Sequence, residues 1–308
     1  MTNQEAAPGA GGGHGGGCAF EGCCGRRRGS VRLIDARMPE LARCLTLFQH
    51  VQAVTGGPAA RIDQAGSYAV PTVRGEAFAL TPGAITLRLD GVASAAVARD
   101  EETGSVAVRL FDADGATAHQ GRLLSEGDRL LSGLAGTVAP GALRDEPGPA
   151  PGVPGWEDGD QLAQLDAILA DGGAARRAAF HRYRGEHRPI GAELVPAVLD
   201  HVCSVGLPVG VAVFAPAAVQ VCGGRVHVTE RTVGGRVFAA VADSSVEIDL
   251  TRVRGCHLVR SAAAHGPTSA IELDDEDGRC VAVLTQFGIV EERVHTAWEH
   301  LAASLPDA

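Results

Sequence analysis

Apolar and polar positions alternate in the same way along two widely separated stretches of this chain. Residues 105–124, SVAVRLFDADGATAHQGRLL, read as a strand, a tight acidic turn ending at Gly115 and a second strand; residues 268–287, TSAIELDDEDGRCVAVLTQF, repeat that order around Gly278. An Asp-Gly pair between alternating apolar runs is a strong hairpin signal, because Gly accepts the positive φ such turns require.

The flanking residues repeat as well. VRGEAF at 73–78 lines up with VGGRVF at 233–238, an offset of 160 that keeps Val73/Val233, Gly75/Gly235 and Phe78/Phe238. AITLRL at 84–89 matches SVEIDL at 245–250 at an offset of 161, Val92, Val97 and Arg99 fall on Val253, Leu258 and Arg260, and the hairpin glycines follow at 163. Self-similarity at a nearly fixed period marks duplicated architecture, and the drift is what two short loop insertions would give.

The rest of the pattern fills in each copy. Leu41, Leu45, Phe48 and Val51/Val54 recur at helical spacing and predict a helix across ARMPELARCLTLFQHVQAVT. Strands are expected at 68–73, 77–80, 84–90, 95–99, 105–111 and 117–123, followed by a short helix in SEGDRLLSGLAGTV. The second copy opens with helical material over QLAQLDAILADGGAARRAAFHRYRGEH and GAELVPAVLDHVCSVG. Strands resume at 208–214, 217–222, 225–232, 236–241, 245–250, 256–260, 268–273 and 280–285, and a closing helix has Val294, Trp298, Leu301 and Leu305 on one face. The predicted fold is α+β: a tandem duplication of an antiparallel β-sheet unit, with helices packed on each sheet.

Composition divides the chain further. Residues 1–30 are rich in Gly, with too little apolar surface to offset the entropy of ordering, and are expected to be disordered. A first repeat then spans 31–140, a Pro/Gly linker 141–158, and a second repeat 159–308. His14, Cys18, Cys23 and Cys24 in the tail form a thiol and imidazole cluster that could capture a soft metal; incidental thiols in a flexible tail are the alternative. Cys44, Cys203, Cys222, Cys256 and Cys280 read as small buried hydrophobes in a reducing compartment.

A formal charge of −10 argues against nucleic acid as a partner. No apolar run is long enough to span a bilayer and no secretory signal pattern opens the sequence, so no membrane insertion and a cytoplasmic location are expected. No nucleotide loop, serine-nucleophile elbow or zinc-hydrolase signature occurs.

The ordered series VRLIDARMPELARCLTLFQHVQAVT, AITLRLDG, AVRLFDADGATAHQ, GLPVGVAVFAPAAVQV and SAIELDDEDGRCVAVLTQF resembles the haemin-degrading and haemin-trafficking proteins of the HemS/HmuS type, over most of 31–140 and 190–305. The resemblance implies a cytoplasmic haem-binding protein of iron acquisition, with haem held between a sheet and helices of the second half. It also implies an iron-ligating His on the helix leading into the second repeat and Arg residues at the propionates. Some members open the porphyrin ring when given oxygen and electrons, so a haem oxygenase-type activity is a candidate. Candidate partners are haem itself, a haem ABC transporter, an electron-donor protein and a second copy of the chain.

This sequence departs from the family where the ligand belongs. The family's W…D-x-H segment here reads WEDGDQLAQLDAILADGG, and its His-Glu-Lys-x-Gly segment reads ARIDQAG; neither holds a His. The nearest substitutes are His181 and His187 in FHRYRGEHR, taken as candidate iron ligands, with Arg184 among five arginines expected on the same helix. A solvated basic helix face is the alternative. By carry-over from the family, Arg88 is placed near haem and Gln286 near its edge, while Phe214 and His119 read as structural. If none of these serves haem, the chain is a degenerate, non-haem scaffold with a thiol-rich tail.

Overall fold

A computed structural model describes residues 29–34, 38–73, 76, 80–81, 83–134, 161–180, 187–262, 266–287 and 290–308. The first series of elements is β1 (Gly29–Ile34), α1 (Met38–Leu45), β2 (Val51–Gly56), β3 (Ala60–Tyr68), β4 (Thr72–Val73), β5 (Ala84–Leu89), β6 (Ser94–Asp100), β7 (Val106–Phe111), β8 (Thr117–Leu123) and α2 (Glu126–Leu134). Two helices without counterparts among these, α3 (Gln161–Asp171) and α4 (Ala174–Ala179), precede the second series. It comprises β9 (His187–Pro189), α5 (Val195–Val205), β10 (Pro208–Ala215), β11 (Ala218–Arg231), β12 (Arg236–Val241), β13 (Ser244–Asp249), β14 (Gly255–Ser261), β15 (Thr268–Asp274), β16 (Cys280–Thr285) and α6 (Glu292–Ser304).

The pairing order repeats strand for strand: β1-β6-β7-β8-β2-β3 in one unit and β9-β14-β15-β16-β10-β11 in the other. The two acidic hairpins match in atomic detail. The Asp112 carboxylate accepts from the backbone N–H of Asp114 and Ala116, as Asp275 does from Asp277 and Arg279. Gly115 and Gly278 take left-handed φ values of 78° and 72°. These are the positive φ angles that the Asp-Gly pairs predict.

The units are not separate sheets, however. Each gives its fifth strand to the other: β13 pairs with β3, and β5 pairs with β11. The fourteen-residue β11 belongs to both sheets, meeting β5 with Ala218–Val221 and β12 with Val226–Arg231. Gly224, between the two pairings, has a positive φ of 149°, and the register with β12 shifts between Val226 and Val228. One sheet therefore runs β1-β6-β7-β8-β2-β3-β13-β12-β11 and the other β4-β5-β11-β10-β16-β15-β14-β9.

Each sheet buries one face under helices of its own series. Leu41 and Leu45 of α1 pack with Val51, Ala53, Val106, Val108 and Leu110, and also with Ile85, Leu87 and Leu89 of the exchanged β5. In the second core Val195, Val198, Leu199 and Val202 of α5 and Trp298 of α6 cover Val209, Val211, Ile271 and Leu284.

Four local expectations change, the first being the strand expected at 68–73, of which only Tyr68, the end of β3, and Thr72–Val73, β4, are strand. The first helix stops at Leu45, where Leu47 and Phe48 close tight turns onto Cys44 and Leu45, and the β-branched Val51, Val54 and Thr55 enter β2 between β3 and β8. The long helix expected before the second unit breaks at Gly172 and Gly173, which hold left-handed φ values of 65° and 84°. Its far end, at His187, is a strand. The strands expected at 217–222 and 225–232 are one strand, β11. The expected linker and all but Gly29 and Ser30 of the expected tail, including its His and Cys cluster, lie outside the described residues.

Candidate functional site

The outer face of the second sheet carries a packed helix and a set of buried ion pairs. Alternation along β5 sends Ile85, Leu87 and Leu89 into the first core, which turns Thr86 and Arg88 to the opposite side. Along β15, Ile271 and Leu273 go to the second core, while Ala270, Glu272 and Asp274 turn outward. Helix α3 lies on this outer face. Leu165 and Ile168 are fully buried against Ala212, Phe214, Val219, Val221 and Val283.

Both flanks of α3 are polar. On one, Asp166 makes a two-oxygen ion pair with Arg88, a side chain only 2% exposed. Arg88 also donates to the Thr72 hydroxyl at 3.1 Å and twice to the Glu76 carbonyl, so its five N–H groups are all satisfied. On the other flank, Gln164 donates to Glu272 and accepts from Ser261. Arg176 of α4 pairs with Glu272 at 2.7 Å, and Arg177 with Asp274 at 3.1 Å. Four strand spacings separate β5 from β15, about 19 Å, so α3 is strapped across the sheet from two sides.

The expected site residues are dispersed. Arg88 is held by Asp166. His187 stacks on Phe180, 4.4 Å between ring centroids, and Phe180 leans on His257 at 5.6 Å. Gln286 donates to the Pro208 carbonyl at 2.6 Å and lines a separate recess of about 200 Å³ with Gln64 and Thr86. His181 and Arg184 lie outside the described residues. The arginines that are described do not form a solvated basic face: Arg176, Arg177 and Arg188 have carboxylate partners in Glu272, Asp274 and Asp307.

A cavity of about 690 Å³ opens at the C-terminal end of α3. Its walls are the β2–β3 and β10–β11 turns and both Asp-Gly hairpins, so equivalent pieces of the two units face one another across it. Ile168, Phe214 and Ala59 make a buried apolar floor. Arg109, Arg252 and Arg279 line it among carboxylates that include Asp114, Asp275 and Asp277.

For an iron porphyrin, this cavity has the size and floor of a small-molecule site, and guanidinium groups that suit carboxylates. It offers the metal little. No imidazole lines it among the described residues, and burial pushes the Cys280 thiol well above its ordinary value, away from the thiolate form a metal takes. The slot beneath α3 is filled by Leu165 and Ile168, so a macrocycle enters there only with the helix displaced. The site fits the body and carboxylates of such a ligand and not its iron.

Sequence reasoning missed a second polar feature, a buried chain that joins the units. The Tyr68 hydroxyl and the Thr55 hydroxyl each lie 2.7 Å from a ring nitrogen of His119. Thr55 donates to Gln220, Gln220 donates to Gln64, and Gln64 donates to the Ala84 carbonyl. Burial pulls the His119 imidazole down to about 3, so the ring is neutral within the chain. Only lone polar residues inside apolar strands signal such a network in the sequence, and they do not name their partners. Of the five cysteines expected to be buried, Cys222, Cys256 and Cys280 are, while Cys44 and Cys203 are half-buried; Cys222 and Cys256 are each pushed up to about 12 chiefly by burial.

No family model matches the sequence, and no curated protein matches it. Solved structures do. The chain superposes on holo-PhuS, a heme-binding protein from Pseudomonas aeruginosa, with a TM-score of 0.72 at 20% identity, covering 90% of this chain and 87% of that one. It superposes on ChuS, an Escherichia coli heme oxygenase, with a TM-score of 0.71 at 16% identity, covering 89% and 88%. The likeness first seen in the ordered series of sequence segments thus holds at the level of the whole fold.

Proposed function

We propose that the protein binds haem at the outer face of the second sheet, where the cavity opens beside α3, and serves to hold or hand on haem rather than to open its ring. The observation that carries this reading is the 690 Å³ cavity with its apolar floor and guanidinium lining, in a chain with the fold of a heme-binding protein and a heme oxygenase. Ile168 and Phe214 would lie against the ring, and Arg109, Arg252 or Arg279 would meet its carboxylates. Bound haem would supply redox and oxygen chemistry through its iron. What the described residues contribute is an apolar surface and charge. Ring opening calls for a neutral axial donor, and the described residues of the lining include none, which supports the holding reading.

The setting implied is cytoplasmic haem trafficking, with a haem transporter or an electron donor as partner and a second copy as a candidate neighbour. The division into a tail (1–30), a repeat (31–140), a linker (141–158) and a second repeat (159–308) belongs to the same reading. A haem titration tests it: a Soret band that saturates at one equivalent is expected, weakened at least tenfold by Arg279→Glu or by Ile168→Trp, which fills the floor. His181→Ala and His187→Ala, titrated alongside, identify an axial imidazole by the change in Soret position.

The departure at the ligand positions favours a second reading, the degenerate scaffold. In that case no variant and no wild-type sample gives a saturable Soret band.

A further inference from the structure

We propose that α3 is a displaceable cover on the outer face of the second sheet, and that Asp166 is the chain's own occupant of an anion receptor built on Arg88, which a flat carboxylate-bearing ligand takes over on binding. The inference rests on the haem reading above and adds how that site is kept closed.

The receptor is assembled without the cover. Three of the five N–H bonds of Arg88 go to Thr72 and to the Glu76 carbonyl, on the strand and turn beside β5. These hold the guanidinium in place from its own side, and only the carboxylate comes from α3. Withdrawing α3 would leave the two-pronged edge of a fixed guanidinium facing an apolar surface of Ala212, Val219, Val221 and Val283. A bidentate carboxylate site of that kind accepts any carboxylate of suitable reach.

The cover is also attached in a way that permits exchange. On both flanks its own contacts are polar: the ion pair of Asp166 with Arg88 on one side, and on the other the hydrogen bonds of Gln164 to Glu272 and Ser261, beside which Arg176 and Arg177 of α4 pair with Glu272 and Asp274. Ion pairs taken out of water gain little net stability over the hydrated groups, so trading one carboxylate for another is close to balanced. The apolar contact is what the ligand must replace, and a flat apolar ring does so on the same residues. The cavity supplies the entrance, because Ile168 and Phe214 belong both to its floor and to the packed face. No covalent step is involved; one carboxylate leaves Arg88 as another arrives.

The experiment titrates full-length protein with haemin and with haem dimethyl ester, following the Soret band, and measures amide exchange of residues 161–171 in the ligand-free protein. Asp166→Asn is expected to exchange its α3 amides at least tenfold faster and to bind haemin at least tenfold more tightly than wild type; the dimethyl ester, which shares the easier opening but has no carboxylate for Arg88, is expected to stay weaker than haemin on this variant. Arg88→Met with Asp166→Leu replaces the pair by apolar groups, keeps the cover shut, and is expected to fold while losing at least tenfold in haemin affinity; it carries the test if Asp166→Asn does not fold. Haemin binding that is equal in wild type and both variants overturns the cover and leaves the haem reading standing. A missing Soret band in wild type and Asp166→Asn alike overturns the haem reading, and the proposal with it.

Discussion

At the scale of single residues, the consequential choices are polar groups placed where water cannot reach them. His119 is the clearest. Its neutral ring bridges Tyr68 and Thr55 in a fully buried chain, and burial holds its imidazole near 3 instead of the ordinary 6.5. The unfolded chain takes up a proton below pH 6.5 that the folded chain refuses. The stabilisation tied to the neutral ring is therefore intact above that pH and is lost as the pH falls toward 3, at up to about 1.4 kcal/mol per unit. Asp274 works in the other direction. Burial raises its carboxyl to about 6, so its contribution is present at low pH and lost as the pH rises from its ordinary 3.8 through 6. Urea unfolding of wild type and His119→Gln between pH 7 and 4 checks the first effect: the acid-side loss should be shallower in the variant, and an unchanged slope would show that His119 does not drive it.

At the scale of elements, α3 is the decisive piece, and it shows how far a sequence can be read. The hairpins, the repeat and the last helix were legible because their signals are local: an Asp-Gly pair, a fixed offset, apolar residues at Val294, Trp298 and Leu301 along one helix face. The site was less so. Arg88 falls in β5, within the strand expected at 84–90, yet nothing local announces that its side chain turns away from the first core or that Asp166, 78 positions later, would answer it. His187 was expected on a helix because apolar and charged residues run on past Phe180, but Gly172 and Gly173 interrupt that helix, and pairing with Val259 of β14 makes the segment a strand. Strand β2 was hidden under a helical spacing that Val51 and Val54 continue by chance, and most of β3, past the end of that spacing, drew no strand expectation before residue 68. Leu165 is the anchor of α3, completely buried against the sheet. Leu165→Ala should cost about 2–5 kcal/mol if α3 belongs to the cooperative core, and well below that if the helix opens independently; chemical denaturation read by circular dichroism separates the two.

For the whole molecule, the reciprocal exchange of β5 and β13 matters most. A duplicated unit that kept its own strands would leave two sheets free to unfold separately. Here β3 depends on β13 and β11 on β5 for one edge of hydrogen bonds each, and the buried chain from His119 to Gln64 crosses the same seam. Neither series closes its sheet alone, and unpaired edges of that kind invite aggregation. Thermal unfolding followed by far-ultraviolet and near-ultraviolet dichroism should give one coincident transition; two resolved transitions would mean that the units are energetically separate.

The cavity too lies between the two series, since its facing turns come from both, and this links the architecture to the proposed ligand. The most direct measurement is a crystal structure of the protein grown with haemin. The account predicts one macrocycle on the outer face of the second sheet, reaching from the cavity over Phe214 to the residues now beneath α3, with one carboxylate on Arg88 in place of Asp166 and the other at the cavity arginines. A macrocycle bound elsewhere, with the pair between Arg88 and Asp166 intact, would contradict it.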